Sequence, residues 1–339
     1  MISVIVPTCR PTSVLTRCLV SLAQQQLPSD ELEVCVVFNG DAAARLECGP
    51  WPFRLSVTQI GGASAAAARN RGLACTSGEL VVFLNDDVVL EPGCLAAHAE
   101  AHARLDRPGL VLGSATWPLY ADSTVLDRLI AETSLVMFYD QMRPYEWYGF
   151  RHAWTLNLSV KREYAQRERF DERLSPVNFE DLEWAFRLER RCGLHVWYAP
   201  ECAAVHDHRY TWEALLARER LVGRMAAKLW QANAECFRAV YENDLDERYL
   251  DFCRRAVAAE RRRAPRLLEL LGRYAQLRAT ELDNAPGGRA AFMSLLHGAI
   301  QPMKRLEFRR GLLEERAAGA PRTTAPTTTT TTAGLARSR

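Results

Sequence analysis

Glu79-Leu80-Val81-Val82-Phe83-Leu84-Asn85-Asp86-Asp87-Val88 is a strand-length apolar run that stops abruptly at an amide and two carboxylates. Leu, Val and Phe bounded by Gly78 and Pro92 read as a strand buried on both faces, as in a parallel sheet. Open α/β sheets bind ligands outside the carboxyl ends of such strands, so Asn85, Asp86 and Asp87 stand where a ligand would sit. Hard oxygen donors on one short turn suit Mg²⁺ or Mn²⁺, which such sites typically share with the phosphates of a substrate. Asn-Asp-Asp is also ordinary turn chemistry, and the rest of the chain has to separate the two readings.

Outward from this stretch, strand-like and helix-like segments alternate, which argues for βαβ units and a mainly parallel sheet flanked by helices. Residues 2–7 form the first expected strand. Val14, Leu15, Cys18, Leu19 and Leu22 mark one face of a helix capped by Thr12 or Ser13. Strands follow at 33–38 and 55–60, then Gly61-Gly62 and an alanine-rich helix carrying Arg69 and Asn70 near its end. After the strand at 79–84 come a helix over 93–105 and a short strand at 109–113, while residues 117–154 are aromatic and irregular. The first strand ends in Pro7-Thr8-Cys9-Arg10-Pro11 and the second in Asn39-Gly40-Asp41. In a parallel sheet these turns share an edge with Asp87, and their crevice favours a phosphate-bearing or nucleotide ligand. A dinucleotide-binding G-x-G-x-x-G would stand after the first strand, and that turn contains no glycine.

Two further groups carry chemistry. In Asn178-Phe179-Glu180-Asp181-Leu182-Glu183-Trp184, Asn178 can cap a helix whose first-turn acids suit its dipole. The alternative is that Asp181 projects into a cleft and accepts a proton from a hydroxyl. Val205-His206-Asp207-His208 follows an expected strand at 195–198 and a turn at Pro200. An imidazole beside oxygen donors can complete a divalent-metal site, although a surface histidine is the plainer explanation. The H-E-x-x-H spacing of a zinc hydrolase is absent.

With 43 Lys and Arg against 41 Asp and Glu, the net charge of +2 gives no reason to expect nucleic acid as a partner. The ten cysteines follow neither a paired CxxC spacing nor a disulfide-scaffold density, and read as reduced fillers of a cytosolic protein. The first strand begins at Met1-Ile2-Ser3, which leaves no room for a signal peptide, so a cytoplasmic location is expected. Residues 212–316 are rich in Ala, Leu, Arg and Glu and read as a helical extension of a domain spanning 1–211. Within the extension, residues 292–300 followed by Lys304, Arg305, Arg309 and Arg310 read either as a core helix with a basic outer face or as a peripheral anchor at the inner membrane face. From 317 to 339 the threonine-rich composition reads as a disordered tail.

The order of these features resembles the family 2 glycosyltransferases of GT-A fold, over roughly residues 1–210. The resemblance rests on Ser3-Val4-Ile5-Val6-Pro7-Thr8, Ala68-Arg69-Asn70-Arg71-Gly72, Ser77-Gly78-Glu79 and Asn85-Asp86-Asp87 at the family's DxD turn. It continues in Asn157-Leu158-Ser159-Val160-Lys161-Arg162, Phe170-Asp171-Glu172, Glu180-Asp181, Pro200 and His206. The resemblance implies an inverting enzyme that moves a sugar from a nucleoside-diphosphate-sugar to a hydroxyl of a glycan, lipid-linked or small-molecule acceptor. It implies catalytic Asp181 and Glu180, and Mn²⁺ or Mg²⁺ on Asp87 and His206. It places the nucleotide-sugar among Pro7, Thr8, Arg10, Asn39, Asp41, Arg69, Asn70, Asn85 and Asp86. Two departures stand out: Asn85 replaces the first Asp of the DxD turn, and Asn39 or Asp41 must substitute for a carboxylate usual after the second strand. The alternative is a catalytically silent sugar-nucleotide-binding scaffold.

Overall fold

A computed structural model describes residues 1–9, 12–40, 50–62, 64–284 and 287–318. Arg10 and Asp41 lie outside the described residues, as does the expected tail beyond Ala318.

The chain opens with β1 (Ile2–Thr8), α1 (Thr12–Ala23), β2 (Leu32–Asn39), β3 (Arg54–Ile60), α2 (Ala65–Cys75) and β4 (Leu80–Leu84). It continues through β5 (Val88–Leu90), α3 (Cys94–Arg104), β6 (Gly109–Thr116), α4 (Val125–Glu132), β7 (Trp147–Tyr148), β8 (Asn157–Lys161) and α5 (Arg162–Arg167). Next come α6 (Glu180–Cys192) and β9 (His195–His206). Among the described residues the sheet has nine strands in the order β3-β2-β1-β4-β8-β6-β9-β5, with β7 beside β9. The β3-β2-β1-β4 block is parallel, as is β6 with β9, while β8, β5 and β7 run against their neighbours. Because side chains alternate along a strand, β1 feeds both layers. Val4 and Val6 pack with Leu15, Leu19 and Leu95 on one face, and Ile5 packs with Leu73, Trp184 and Leu188 on the other.

Three expectations change. Residues 117–154 are not wholly irregular, since they include α4, whose start is fixed by a capping box between Thr124 and Asp127. A strand absent from the sequence reading, β8, occupies the middle of the sheet. Pro200 does not end a strand: β9 runs through it to His206, and the register with β6 shifts between Gly113 and Ala115, so the proline falls where ladder pairing is interrupted.

The polar residues of β8 are buried because α3 supplies their partners. Asn157 Nδ2 donates to the carbonyls of Ser114 (3.1 Å) and Cys202 (2.8 Å), so its Oδ1 is left to accept from His98 Nε2 at 3.0 Å. His98 Nδ1 then accepts from Ser159 Oγ (2.8 Å), whose oxygen faces His102 Nε2 at 3.0 Å. Burial pushes His98 down to about 4 and His102 to about 3. A histidine with a depressed folded pKa is protonated first in the unfolded chain, so its contribution to stability is lost as pH falls below about 6.5. Lowering pH from 7 to 5 is expected to cost about 2 kcal/mol through His98 alone. Urea unfolding of wild type and His98→Gln at both pH values reads this as the part of the wild-type loss that the variant no longer shows, the share of His102 remaining in both.

The C-terminal helices α7 (Trp212–Ala232), α8 (Ala234–Tyr241), α9 (Glu247–Glu260), α10 (Ala264–Gln276) and α11 (Arg289–Ala318) pack on this domain. Met293, Leu296, Ile300 and Met303 of α11 are buried with Trp212, Leu271 and α4. These residues of the expected anchor are therefore covered by protein, as a core helix requires, while Leu295 stands exposed on the outer side. Helices α7 and α11 meet closely at glycines: a Cβ at Gly223 would collide with the Phe308 carbonyl, and one at Gly311 with the Arg220 carbonyl. Gly298, on the same helix, has open space around it. Gly311→Ala is expected to destabilise by about 1–3 kcal/mol through overpacking. Gly298→Ala should stabilise by ~0.5–1 kcal/mol because alanine loses less entropy in a helix. Chemical denaturation of both variants checks the opposite signs.

Candidate active site

The carboxyl ends of β1, β2, β4, β6 and β9 and the start of β8 line one edge of the sheet. The turn after β4 is fixed from several sides. Asn85 N donates to the Leu156 carbonyl at 3.2 Å, Val88 N to the Asn85 carbonyl at 3.2 Å, and Thr8 Oγ1 to Asp86 Oδ2 at 2.6 Å. Asp86 and Asp87 are buried; burial first, and then their charge, push the neighbouring thiol of Cys18 on α1 up, so it stays a protonated filler.

Asp87 faces the end of β9. His206 Nε2 stands 3.3 Å from Asp87 Oδ1 and His208 Nδ1 stands 3.3 Å from Asp87 Oδ2, while Asp207 N donates to the Asp87 carbonyl at 2.8 Å. β9 ends at His206, and a tight turn in which His208 N donates to the His206 carbonyl at 2.9 Å brings both rings to flank the same carboxylate. Trp117, just past β6, lies against the His206 ring with centroids 4.6 Å apart. His206 Nδ1 is buried without a hydrogen-bond partner among the described residues. Among the described residues there is no group of three or more His, Cys, Asp or Glu that could by itself hold a metal ion. A carboxylate beside an imidazole fits an open site, in which a divalent ion draws its remaining ligands from water and phosphate. Asp87 and His206 would be the protein ligands.

The second carboxylate pair stands at the start of α6. Asn178 (φ 81°) and Phe179 (φ 67°) both adopt the left-handed conformation, and α6 begins without a side-chain cap, so Asn178 does not act as the expected cap. Such backbone costs about 1–3 kcal/mol per residue and persists only where its surroundings hold it. Here Lys228 Nζ of α7 donates to the Ser175 carbonyl at 2.9 Å, and Phe179 packs edge-on against Tyr241 of α8. The C-terminal helices thus buttress the turn that presents Glu180 and Asp181.

The two acids diverge at this point. Glu180 turns inward, buried, with Oε1 2.8 Å from Arg69 Nη1. Burial and the adjacent Asp181 push Glu180 above the ordinary carboxylate range, against the pull of Arg69. Asp181 is half-buried; Oδ1 accepts from Leu182 N at 2.8 Å, and Oδ2 lies 3.4 Å from both the amide and the hydroxyl of Thr155. Thr155 thus touches Asp181 while Leu156, next to it, touches Asn85.

Among the other candidates, Pro7 is half-buried at the end of β1, and Asn39 Oδ1 accepts from Ser64 N at 2.8 Å. Arg69 is neither on the surface nor at a helix end: it is buried mid-helix in the pair with Glu180. Asn70, also buried, grips residues 170–172 by donating to the Phe170 carbonyl (2.9 Å) and Glu172 Oε1 (2.8 Å) and accepting from Phe170 N (3.0 Å). Sequence reasoning had no signal for Thr155, and marked Trp117 only as the start of the aromatic segment 117–154. For His208, the two-residue spacing from His206 was the available signal.

A model of the family described as glycosyl transferase family 2 matches residues 3–164. Among solved structures, the mannosyltransferase PcManGT from Pyrobaculum calidifontis, in complex with GDP-Man and Mn²⁺, is 16% identical with a TM-score of 0.54, over 94% of this chain and 88% of that one. S. aureus TarS 1-349 in complex with UDP-GlcNAc is 19% identical with a TM-score of 0.45, over 94% and 92%. No curated protein matches the sequence. The mixed α/β sheet with flanking helices is the GT-A arrangement.

Proposed function

From a glycosyl transferase family 2 domain over residues 3–164, we propose an inverting enzyme that transfers a sugar from a nucleoside-diphosphate-sugar to a hydroxyl of a glycan, lipid-linked or small-molecule acceptor. One observation carries this reading: the Thr155-Leu156 segment touches the Asn85 turn at one residue and Asp181 at the next. A donor lying at Asp86 and Asp87 therefore has its sugar within reach of Asp181. Thr8, Pro7, Asn85 and Asp86 would line the donor. Mn²⁺ or Mg²⁺ on Asp87 and His206 would offset the charge that builds on the diphosphate leaving group. The nitrogen donor suits Mn²⁺ better than Mg²⁺.

Asp181 takes the proton of the acceptor hydroxyl as its oxygen bonds to the anomeric carbon. The bond to the diphosphate breaks in the same displacement, which inverts that carbon without a covalent enzyme intermediate. Glu180, paired with Arg69, keeps the start of α6 in place and so positions Asp181. No helix among the described residues is long and apolar enough to cross a membrane, and a lipid-linked acceptor would be met at a membrane surface. Incubation with labelled UDP-, dTDP- and GDP-sugars, mixed oligosaccharide acceptors and Mn²⁺ tests the proposal. Label should move from one donor class. Binding of a nucleotide without transfer or release from any donor would favour the silent scaffold.

A further inference from the structure

Residues 248–266, which run from α9 into α10, contain seven arginines against two acids, Asp251 and Glu260, in a chain whose net charge is only +2. On α9, Arg248, Phe252 and Arg255 are exposed and spaced to share one face, while Leu250 and Cys253 are buried in a cluster with Phe237 and Leu312. Arg261-Arg262-Arg263 fills the turn before α10, exposed throughout, with helical backbone angles at Arg261 and Arg263. On α10 the pattern repeats: Arg266, Leu270 and Arg273 are exposed along one face, and Leu271 and Ala275 are buried. Phe252 and Leu270 are 47% and 48% exposed, and Arg309 of α11 stands over the Phe252 ring at 5.2 Å.

The nearby carboxylates are engaged elsewhere. Glu247 and Asp251 pair with Arg254, Asp244 with Arg238, and Glu269 with Arg273. Among the described residues no ion pair reaches Arg248, Arg255, Arg261, Arg262, Arg263 or Arg266. Residues 319–339 contain three arginines and no acid, so that segment cannot neutralise them, and a second copy meeting this surface with its own would bring like charge. We propose that the exposed side of α9 and α10, rather than α11, docks the protein on an anionic bilayer. A leaflet of acidic lipids attracts basic residues, and the arginine fork matches lipid phosphate. Phe252 and Leu270, set between the arginines, suit the acyl boundary beneath the headgroups. Nucleic acid would take up the charges but leave both apolar side chains in water. The inference stands whether or not the chain transfers sugar.

Cosedimentation of the full chain with vesicles tests it, using phosphatidylcholine alone and phosphatidylcholine mixed in equal parts with phosphatidylglycerol. Binding is expected to the mixed vesicles only, and to weaken as NaCl is raised. Arg255→Gln/Arg262→Gln/Arg266→Gln should weaken it about a hundredfold, at roughly a factor of five per charge. Phe252→Ala should weaken it about fivefold through lost apolar burial. Arg104→Gln/Arg143→Gln/Arg169→Gln removes the same charge from exposed positions on the catalytic domain and should leave most of the binding intact. No binding to the mixed vesicles, equal binding to phosphatidylcholine alone, or equal losses in the two triple variants would overturn the proposal. So would unchanged binding by Phe252→Ala, or tighter binding to a short DNA duplex than to the mixed vesicles, because charge alone would then be read.

Discussion

Asp181→Asn is expected to reduce glycosyl transfer by a factor of about 10² to 10⁴, the range a well-placed general base supplies. Affinity for the nucleoside diphosphate should be almost unchanged. The asymmetry follows from position. Asn is nearly isosteric: its oxygen can keep the 2.8 Å bond from Leu182 N and its NH2 can donate to the Thr155 hydroxyl, giving up only the 3.4 Å contact with Thr155 N, so the start of α6 keeps its shape, but a neutral amide cannot take up the acceptor proton. None of the Asp181 hydrogen bonds reaches Asp86 or Asp87, so donor binding has no direct reason to fall. Turnover and calorimetric binding on the same preparation separate the two quantities. An equal loss of both would remove Asp181 from the role of base.

Arg69→Leu should have the largest effect on stability. It leaves the buried Glu180 carboxylate without its 2.8 Å partner, and stripping one member from a buried pair costs about 3–5 kcal/mol. The double variant Arg69→Leu/Glu180→Leu removes both charges and is expected to recover much of that loss. The pH dependence has a definite sign. An acid whose folded pKa is raised binds its proton more tightly in the folded state, so stability falls as pH rises from the unfolded toward the folded value. Without Arg69 the rise in Glu180 is larger, so the gap between Arg69→Leu and wild type should narrow in acid. Denaturation of the three proteins at pH 7 and 5 measures this. A double variant no more stable than Arg69→Leu would show that the cost comes from lost packing rather than a stranded charge.

The parallel half of the sheet was legible because its strands are buried on both sides and therefore read as unbroken apolar runs, as in Leu80–Leu84. The carboxylates that follow were legible because strand ends in such sheets are where polar turns converge. What stayed hidden depends on partners distant in sequence. Asn157 and Ser159 give β8 a half-polar pattern, and His98 and His102 of α3, with the Ser114 and Cys202 carbonyls, make that pattern compatible with the centre of a sheet. Arg69 reads either as a nucleotide-side residue or as a surface residue on an alanine-rich helix until Glu180, 111 positions later, is folded onto it. Pro200 reads as a stop unless the register shift beside it is known. The Thr124 and Asp127 capping box, by contrast, was available in the sequence and marks α4 without any tertiary information.

The central claim is a metal-assisted nucleotide-sugar site built on Asp87, and the most direct measurement is thermal stabilisation of wild type and Asp87→Asn by UDP, dTDP and GDP, each with and without Mn²⁺. Ligands that bind the folded state raise its stability by mass action. The expected result is a rise in Tm with one diphosphate that requires Mn²⁺ in the wild type and disappears in Asp87→Asn. No rise with any diphosphate, or an equal rise in Asp87→Asn, would contradict it.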